Sequence, residues 1–167
     1  LQKPVWSGAL AAAHELLRQQ QHGLAFAGLP SAVAPAALMQ AYAAQDALVG
    51  LQAAQHHTHI SGYKIAITTP VMREFVGFDD AISGCVLADL VFQNGHRIQA
   101  HERQHLIIEF ELALQFAHDL PSTTTVWTAD SILECIACAY PCLEIADDRY
   151  AVYADLKMNF FSLVAEN

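Results

Sequence analysis

The first third of the chain repeats its apolar residues with the period of an α-helix. Ser7 can cap a helix that runs to about Gln21, and Gly23 is a suitable stop. A second helix is predicted in PAALMQAYAAQDALVGLQAAQ, which begins at Pro35 and carries an apolar stripe formed by Leu38, Ala41, Tyr42, Leu48 and Leu51. The pattern therefore predicts a helical region over residues 1–60.

After residue 60 the apolar pattern changes to the two-residue period of strands. In GYKIAITT, apolar side chains take one face and Lys64 lies on the other, and Thr69-Pro70 then opens a short helix that Gly77 ends. GCVLADLVF reads as a strand that leads through an Asn-Gly turn to a second strand, RIQA. Further strands are predicted at 106–116, in CLEIADDRY and in the apolar run FFSLVAEN, with a helix at about 125–139. Helices followed by mostly antiparallel strands predict an α+β fold.

The strand LIIEFELALQF places two glutamates, Glu109 and Glu111, on one face and only apolar residues on the other. One interpretation is a half-solvated strand of an antiparallel sheet. The other is a cation site, since a hard divalent metal removes the repulsion between two carboxylates. Glu144, in the apolar segment PCLEIADDRY, could supply a third oxygen ligand. Three carboxylates would leave positions open for water and substrate, as Mg²⁺ and Mn²⁺ sites do.

Composition limits the class of protein. The chain has 167 residues, 54% hydrophobic and 15% charged, which excludes a disordered chain and suits one compact domain. Its formal net charge is -9 and it has no basic cluster, so neither nucleic acid nor an anionic membrane is an expected partner. Glycines and prolines interrupt the uncharged stretch from Gln19 to Gln45, and the first residues lack the pattern of a signal peptide. We therefore expect a soluble, cytoplasmic protein.

Lysine, histidine and cysteine side chains offer further candidates. Lys64 shares its strand face with small residues, so it is either an ordinary surface lysine or a catalytic acid or base over a cavity. The three histidines of HHTH fall between a helix and a strand, where an exposed loop is expected. The four cysteines lack the paired spacing of a zinc site and are expected to be free; Cys135, Cys138 and Cys142 are expected in the core.

Several segments together resemble a known enzyme family. AYAAQDALV, GYKIAITTPVM, CVLADLVF, EFELAL, HDLP and PCLEIADDRY occur in the order seen in the 2-keto-4-pentenoate hydratase / 4-oxalocrotonate decarboxylase family, of the fumarylacetoacetate hydrolase superfamily. The resemblance runs from about Ala41 to Asn167. Its most specific part is the ordered set of a lysine, the ExE pair and LE-x-x-D-x-R.

The resemblance implies specific roles for residues of this chain. It implies Mg²⁺ or Mn²⁺ held by Glu109, Glu111 and Glu144, with Lys64 assisting proton transfer. It implies that Asp147 and Arg149 support the Glu144 strand, and that Lys157 matches a lysine of the family. Two segments depart from the family: His105-Leu106 replaces a Pro-Arg pair, and AEN, with Glu166, replaces ADNAS.

The resemblance also implies a fold and an activity. The fold would be amino-terminal helices followed, over 61–167, by the first part of a mixed β-roll that family members complete with a further segment. The activity would be metal-dependent hydration of a 2-hydroxy-2,4-dienoate in the degradation of aromatic compounds. Decarboxylation of a 4-oxalocrotonate-type 2-oxo acid and a non-catalytic scaffold or assembly subunit are the alternatives. A homo-oligomer is expected, because the apolar run with Phe160 and Phe161 would otherwise form a bare strand edge.

Overall fold

A computed structural model of the chain describes residues 6–120, 126–149 and 159–167. These residues fall into two compact units. The first, Gln99–Asp148, is built on one long hairpin and is called the hairpin unit. The second is discontinuous, with segments Gln2–Ile98 and Arg149–Asn167, and is called the helical unit. The predicted division into 1–60 and 61–167 stays a prediction.

The helical unit contains most of the buried side chains. Its helices are α1 (Ala9–Gln21), α2 (Leu38–His56), α3 (Pro70–Val76) and α5 (Phe160–Glu166). Its strands are β1 (Ile60–Ala66) and β2 (Ile82–Leu87), and a short 3₁₀ helix, Ala88–Leu90, follows β2. The core lies where α1, α2 and α5 meet, and its most completely buried large side chains are Leu16, Leu48 and Val164.

Local sequence signals account fully for the ends of α3 and only in part for those of α1 and α2. The hydroxyl of Thr69 accepts a hydrogen bond from the amide of Met72, Pro70 takes the first turn of α3, and Gly77 ends the helix at a φ of 74°. Helix α2 is present as predicted, although it begins at Leu38 and not at Pro35. Helix α1 begins at Ala9 with no side-chain cap, so the predicted capping role of Ser7 is wrong.

The apolar pattern of the β1–β2 ribbon predicts which of its faces packs against the core. In the structure, the opposite face does so. The strands are antiparallel, and Lys64 is paired with Gly84 and Ala66 with Ile82. Gly84 and Ile82 are buried, so Lys64 lies on the covered face. Tyr63 lies on the other face and is 74% exposed.

A buried glutamine ties three elements of the helical unit together. The side-chain amide of Gln45 on α2 donates to the carbonyl of Ser83 at 3.0 Å and to that of Val164 at 2.9 Å. The Tyr42 hydroxyl, one turn earlier, accepts from the amide of Ser83 at 3.1 Å. Side chains of α2 thus fix both β2 and α5, and these contacts position the segments next to Gly84.

The hairpin unit consists of β3 (Leu106–Phe116), α4 (Ala129–Leu133) and β4 (Ile136–Asp147), preceded by the 3₁₀ turn Ala100–Glu102. Strand β3 has the predicted bounds and pairs with β4 in an antiparallel register that runs from Leu106 opposite Asp147 to Gln115 opposite Cys138. The apolar face expected to be dry is exposed, and Phe110 reaches 91%. The strand's alternation was predicted correctly, but its burial was not.

Three predicted elements are wrong. The helix expected at 125–139 is only Ala129–Leu133, because the residues from Ile136 onward pair with β3 instead. RIQA forms no strand, and β2 pairs with β1. The apolar run expected to be an edge strand is helix α5, whose buried residues Phe160, Leu163 and Val164 follow helical spacing. The α+β class is confirmed, with helices and two small antiparallel sheets.

Within the described residues, no helix combines the length and apolar character needed to cross a membrane.

An ion pair on α1 predicts a pH dependence of stability. Glu15 accepts two hydrogen bonds of 2.8 Å from Arg18, which, with a bond from Gln19, lower the pKa of the Glu15 carboxyl to about 2. Since the folded-state pKa is lower than the unfolded one, the pair stabilises the fold above pH 4.5, and this contribution is lost as the pH falls from 4.5 towards 2. We expect Glu15→Gln to be less stable than wild type at pH 7 and to lose less thermal stability as the pH falls from 4.5 towards 2, so that the two proteins converge at low pH. Equal acid sensitivity of variant and wild type would contradict this.

Candidate functional site

The three predicted metal ligands lie on one face of the hairpin. Glu109 is the direct cross-strand partner of Glu144, and Glu111 is the partner of Cys142. Cross-strand partners point to the same side of a sheet, as do residues two apart on one strand, so the three carboxylates share a face. Glu144 is half-buried, whereas Glu109 and Glu111 are exposed.

This arrangement fits a hard cation in its donor chemistry and backbone register. Oxygen-only ligands suit Mg²⁺, Mn²⁺ or Ca²⁺. Like charges placed directly opposite each other destabilise a strand pair, so a shared cation would remove a cost that the hairpin otherwise carries. In the described part of the chain, however, no group of three or more His, Cys, Asp or Glu side chains is placed so as to hold a metal ion. The ligand set therefore stays a prediction. The backbone positions suit it, but the three glutamate side chains would have to rotate to converge on one ion.

Asp147 fixes the open end of this hairpin. Its carboxylate accepts hydrogen bonds from the backbone amides of Gln104 at 2.9 Å and His105 at 3.1 Å, where β3 begins. The adjacent Asp148 lies 3.2 Å from the imidazole of the same His105. These contacts hold the first residues of β3 against the last residues of β4, and so maintain the register that aligns Glu109 with Glu144.

Arg149, predicted to support the same strand, lies in the helical unit. Its guanidinium forms an ion pair with Glu166 and donates to the carbonyl of Leu24 at 2.9 Å. Both charged side chains are largely buried, with 12% and 13% exposure. Arg149 thus anchors the end of α5 to the loop after α1. Lys157 lies outside the described residues.

Lys64, the predicted catalytic lysine, is half-buried on the inner face of the β1–β2 ribbon. Its Cε lies 2.9 Å from the position that a Cβ on Gly84 would occupy, so the side chain crosses over the glycine. The carboxamide nitrogen of Asn167 lies 2.8 Å from that same position. Lys64 therefore shares its surroundings with an amide that the sequence did not single out; its catalytic role stays a prediction.

The histidines and cysteines do not add ligands. His56, His57 and His59 are exposed at the junction of α2 and β1, as expected for a loop, and His56 lies 3.4 Å from the carboxylate of Asp89. All four cysteines are free. Cys138 and Cys142 are exposed on the acid-bearing face of β4, so the expectation that they belong to the core is wrong.

Sequence patterns did not indicate Asn167 or the position of Cys142 beside Glu111. Asn167 lies near Lys64 only through the packing of α5 against α2, a contact between residues far apart in the chain. No local motif predicts such a contact. The cross-strand partner of Glu111 follows from the register of β3 with β4, and residues near Glu111 in the sequence do not determine that register.

Comparisons with known proteins support one fold. No protein-family model matches the chain. Over 108 residues it is 27% identical to a 2-keto-4-pentenoate hydratase of Burkholderia vietnamiensis (strain G4 / LMG 22486), an alignment that covers 65% of this chain and 39% of that enzyme.

Solved structures extend this similarity to most of the described fold. A 4-oxalocrotonate decarboxylase from Pseudomonas putida G7, complexed with magnesium and adipate, superposes with a TM-score of 0.74 at 17% identity. The match covers 92% of this chain and 59% of that one, and a second structure of the enzyme, with calcium and acetate, gives the same values. This chain therefore spans well under two thirds of the length of each of these relatives. The predicted resemblance is confirmed at that level: the chain is similar in sequence to a 2-keto-4-pentenoate hydratase and has the fold of a 4-oxalocrotonate decarboxylase.

Proposed function

We propose that this protein is part of a divalent-metal-dependent lyase that hydrates a 2-hydroxy-2,4-dienoate, in the degradation of aromatic compounds. The observation that carries the proposal is the register of the hairpin, which aligns Glu109 with Glu144 and puts Glu111 on the same face. The similarity to a hydratase and the fold of a decarboxylase that binds magnesium in its crystal structure support this choice. The cofactor would be Mg²⁺ or Mn²⁺.

Each candidate residue has a defined task in this proposal. Glu109, Glu111 and Glu144 would hold the cation. Their three negative charges would weaken its attraction for a further anion, so that a bound organic acid could still exchange. When bound, the metal supplies Lewis-acid stabilisation of an enolate. Through its Nζ, Lys64 would move a proton to or from the carbon chain of the substrate. Its position on the covered ribbon face would keep bulk water away from that proton.

Decarboxylation of a 4-oxalocrotonate-type 2-oxo acid is the second candidate, favoured by the similarity to the solved decarboxylase. Both reactions develop negative charge on the oxygen of a 2-oxo or 2-hydroxy acid, so the same carboxylates and lysine serve either one. A scaffold or assembly subunit without activity is the third candidate. The departure at His105-Leu106, next to the ExE pair, is the feature that favours it.

A homo-oligomer is part of the proposal. The face of β3 that carries Phe110 and Leu112 is exposed, and so is the outer face of β1 with Tyr63 and Ile65. Exposed apolar side chains in such rows are typical of surfaces that pack against another element or subunit. They support an assembly in which these strands are covered.

One assay separates the three candidates. Purified protein is incubated with Mg²⁺ and, in parallel, with a 2-hydroxy-2,4-dienoate or a 4-oxalocrotonate-type acid, while dienol absorbance and released CO₂ are followed. Loss of dienol absorbance without CO₂ is expected for the hydratase, and CO₂ release identifies the decarboxylase. If both signals are absent although Mg²⁺ still binds, both activities are contradicted and the scaffold remains as the candidate. Glu134→Gln, an exposed acid elsewhere in the hairpin unit, is the matched control for the carboxylate variants.

A further inference from the structure

The Asn-Gly pair predicted to join two strands lies instead at the tip of an exposed loop. Asn94 and Gly95 are the central residues of a turn whose ends are joined by a hydrogen bond of 3.1 Å, from the amide of His96 to the carbonyl of Gln93. Because RIQA forms no strand, this turn belongs to the segment that precedes the hairpin unit. The pair therefore plays no part in strand pairing.

The base of this turn is closed and its tip is open to solvent. The rings of Phe92 and His96 stack with their centroids 3.9 Å apart and an angle of 5° between their planes. Asn94 and Gly95 are both exposed, and a Cβ built on Gly95 would meet no atom of the described residues within 4 Å. The stack and the hydrogen bond thus hold Asn94 and Gly95 where water reaches both.

The side chain of Asn94 and the backbone nitrogen of Gly95 are both available for reaction. Within the described part of the chain, neither the Asn94 carboxamide nor the Gly95 N–H is engaged in a hydrogen bond. Gly95 has no side chain to hinder approach to its nitrogen, and its φ of 90° lies in the region that favours glycine. A nucleophilic nitrogen therefore follows directly after an electrophilic amide carbon.

We propose that Asn94 is a site of spontaneous deamidation that proceeds through a cyclic imide with the nitrogen of Gly95. That nitrogen attacks the side-chain carbonyl carbon of Asn94, a C–N bond forms, and the side-chain nitrogen leaves as ammonia with the proton from Gly95. Water then opens the imide. Opening at the side-chain carbonyl gives aspartate, whereas opening at the main-chain carbonyl gives isoaspartate. Water is the only co-reactant, and nothing is oxidised or reduced.

The reaction changes both the charge and the backbone of the loop. Each event replaces a neutral amide by a carboxylate and so makes the formal net charge of -9 more negative. Isoaspartate also adds a methylene to the main chain, so the turn cannot close with the same geometry. The stack of Phe92 on His96 is the contact that this lengthening would loosen. The inference concerns this loop alone and is independent of the proposed lyase activity.

The test is incubation of the intact protein at physiological temperature and mildly alkaline pH, followed by anion-exchange chromatography and mass spectrometry of its peptides. We expect a more acidic form to accumulate with both aspartate and isoaspartate at position 94, since the cyclic route gives both products. Asn159, which is half-buried and is followed by the bulky Phe160, should keep its amide in the same samples. An unchanged Asn94, or aspartate without isoaspartate, would overturn the proposal.

Variants identify the attacking nitrogen. Gly95→Ala should slow the reaction at least about tenfold, which corresponds to about 1.4 kcal/mol of activation free energy, because a Cβ then hinders that nitrogen. Asn94→Gln should abolish it, since its longer side chain would have to form a larger and less favourable ring. Gln93→Ala, at an exposed neighbour, is the matched control and should react as wild type does. Equal rates in wild type and Gly95→Ala would exclude attack by the Gly95 nitrogen.

A comparison of folded and urea-unfolded protein tests whether the native loop permits the reaction. Local opening of an exposed loop costs little free energy, so the native rate should lie within about tenfold of the rate in urea. The slowing by Gly95→Ala should persist in urea, where the native φ of residue 95 has no influence. A native rate below about one tenth of the rate in urea would show that the turn protects Asn94, and the proposal would be wrong.

Discussion

Replacing Glu144 by glutamine should stabilise the metal-free protein slightly and remove at least about half of the stabilisation that Mg²⁺ provides. In the hairpin, the half-buried Glu144 stands directly opposite the exposed Glu109, and like charges in that position oppose strand pairing by up to about 1 kcal/mol. Bound Mg²⁺ would make the wild type the more stable of the two proteins, because a ligand present at about one hundred times its Kd adds about 2.7 kcal/mol to the free energy of unfolding. The two effects have opposite signs, so a general loss of stability cannot imitate them.

The measurement is urea unfolding of wild type and Glu144→Gln, each in EDTA and in excess Mg²⁺, with titration calorimetry of Mg²⁺. We expect the affinity to fall at least roughly tenfold, which corresponds to about 1.4 kcal/mol. Glu134→Gln should respond to Mg²⁺ as wild type does. An equal Mg²⁺ effect in Glu144→Gln and wild type would exclude Glu144 as a ligand.

Replacing Gln45 by alanine should cost about 2–6 kcal/mol of unfolding free energy, since each of two carbonyls loses a donor at about 1–3 kcal/mol. The carbonyls are those of Ser83 and Val164, and the Gln45 side chain is only 4% exposed. Urea denaturation at pH 7 measures the loss. Gln55→Ala, an exposed glutamine of the same helix, should change stability by less than about 0.5 kcal/mol. A similar small effect at Gln45 would show that water replaces its hydrogen bonds.

Residues with local, directional chemistry were predictable from the sequence. Thr69, Pro70 and Gly77 define the ends of α3 through a hydroxyl cap, a fixed φ and a positive φ, all of which depend on neighbouring residues. The bounds of β3 followed from its strict alternation. The common face of Glu109 and Glu111 followed from the same period, and only the structure could add that Glu144 is aligned with them.

Residues whose state depends on distant partners were not predictable. The apolar run in FFSLVAEN is compatible with a strand or a buried helix. Packing against α2 stabilises the helix. The residues from Ile136 onward could extend a helix or a strand, and pairing with β3 decides for the strand. Asn167 could be recognised beside Lys64 only once that packing was known.

The discontinuity of the helical unit has a consequence for the order of folding during synthesis. Contacts within the hairpin unit join residues that emerge from the ribosome within about fifty residues of one another, so β3 and β4 can pair early. The core beneath α2 needs Phe160, Leu163 and Val164, and Gln45 finds its second carbonyl 119 residues further along the chain. The part of the core that α5 completes can therefore form only after the residues of the hairpin have been made. Closing that long loop is an entropic cost, and the hairpin shortens its effective length by bringing Gln104 and Asp147 together first.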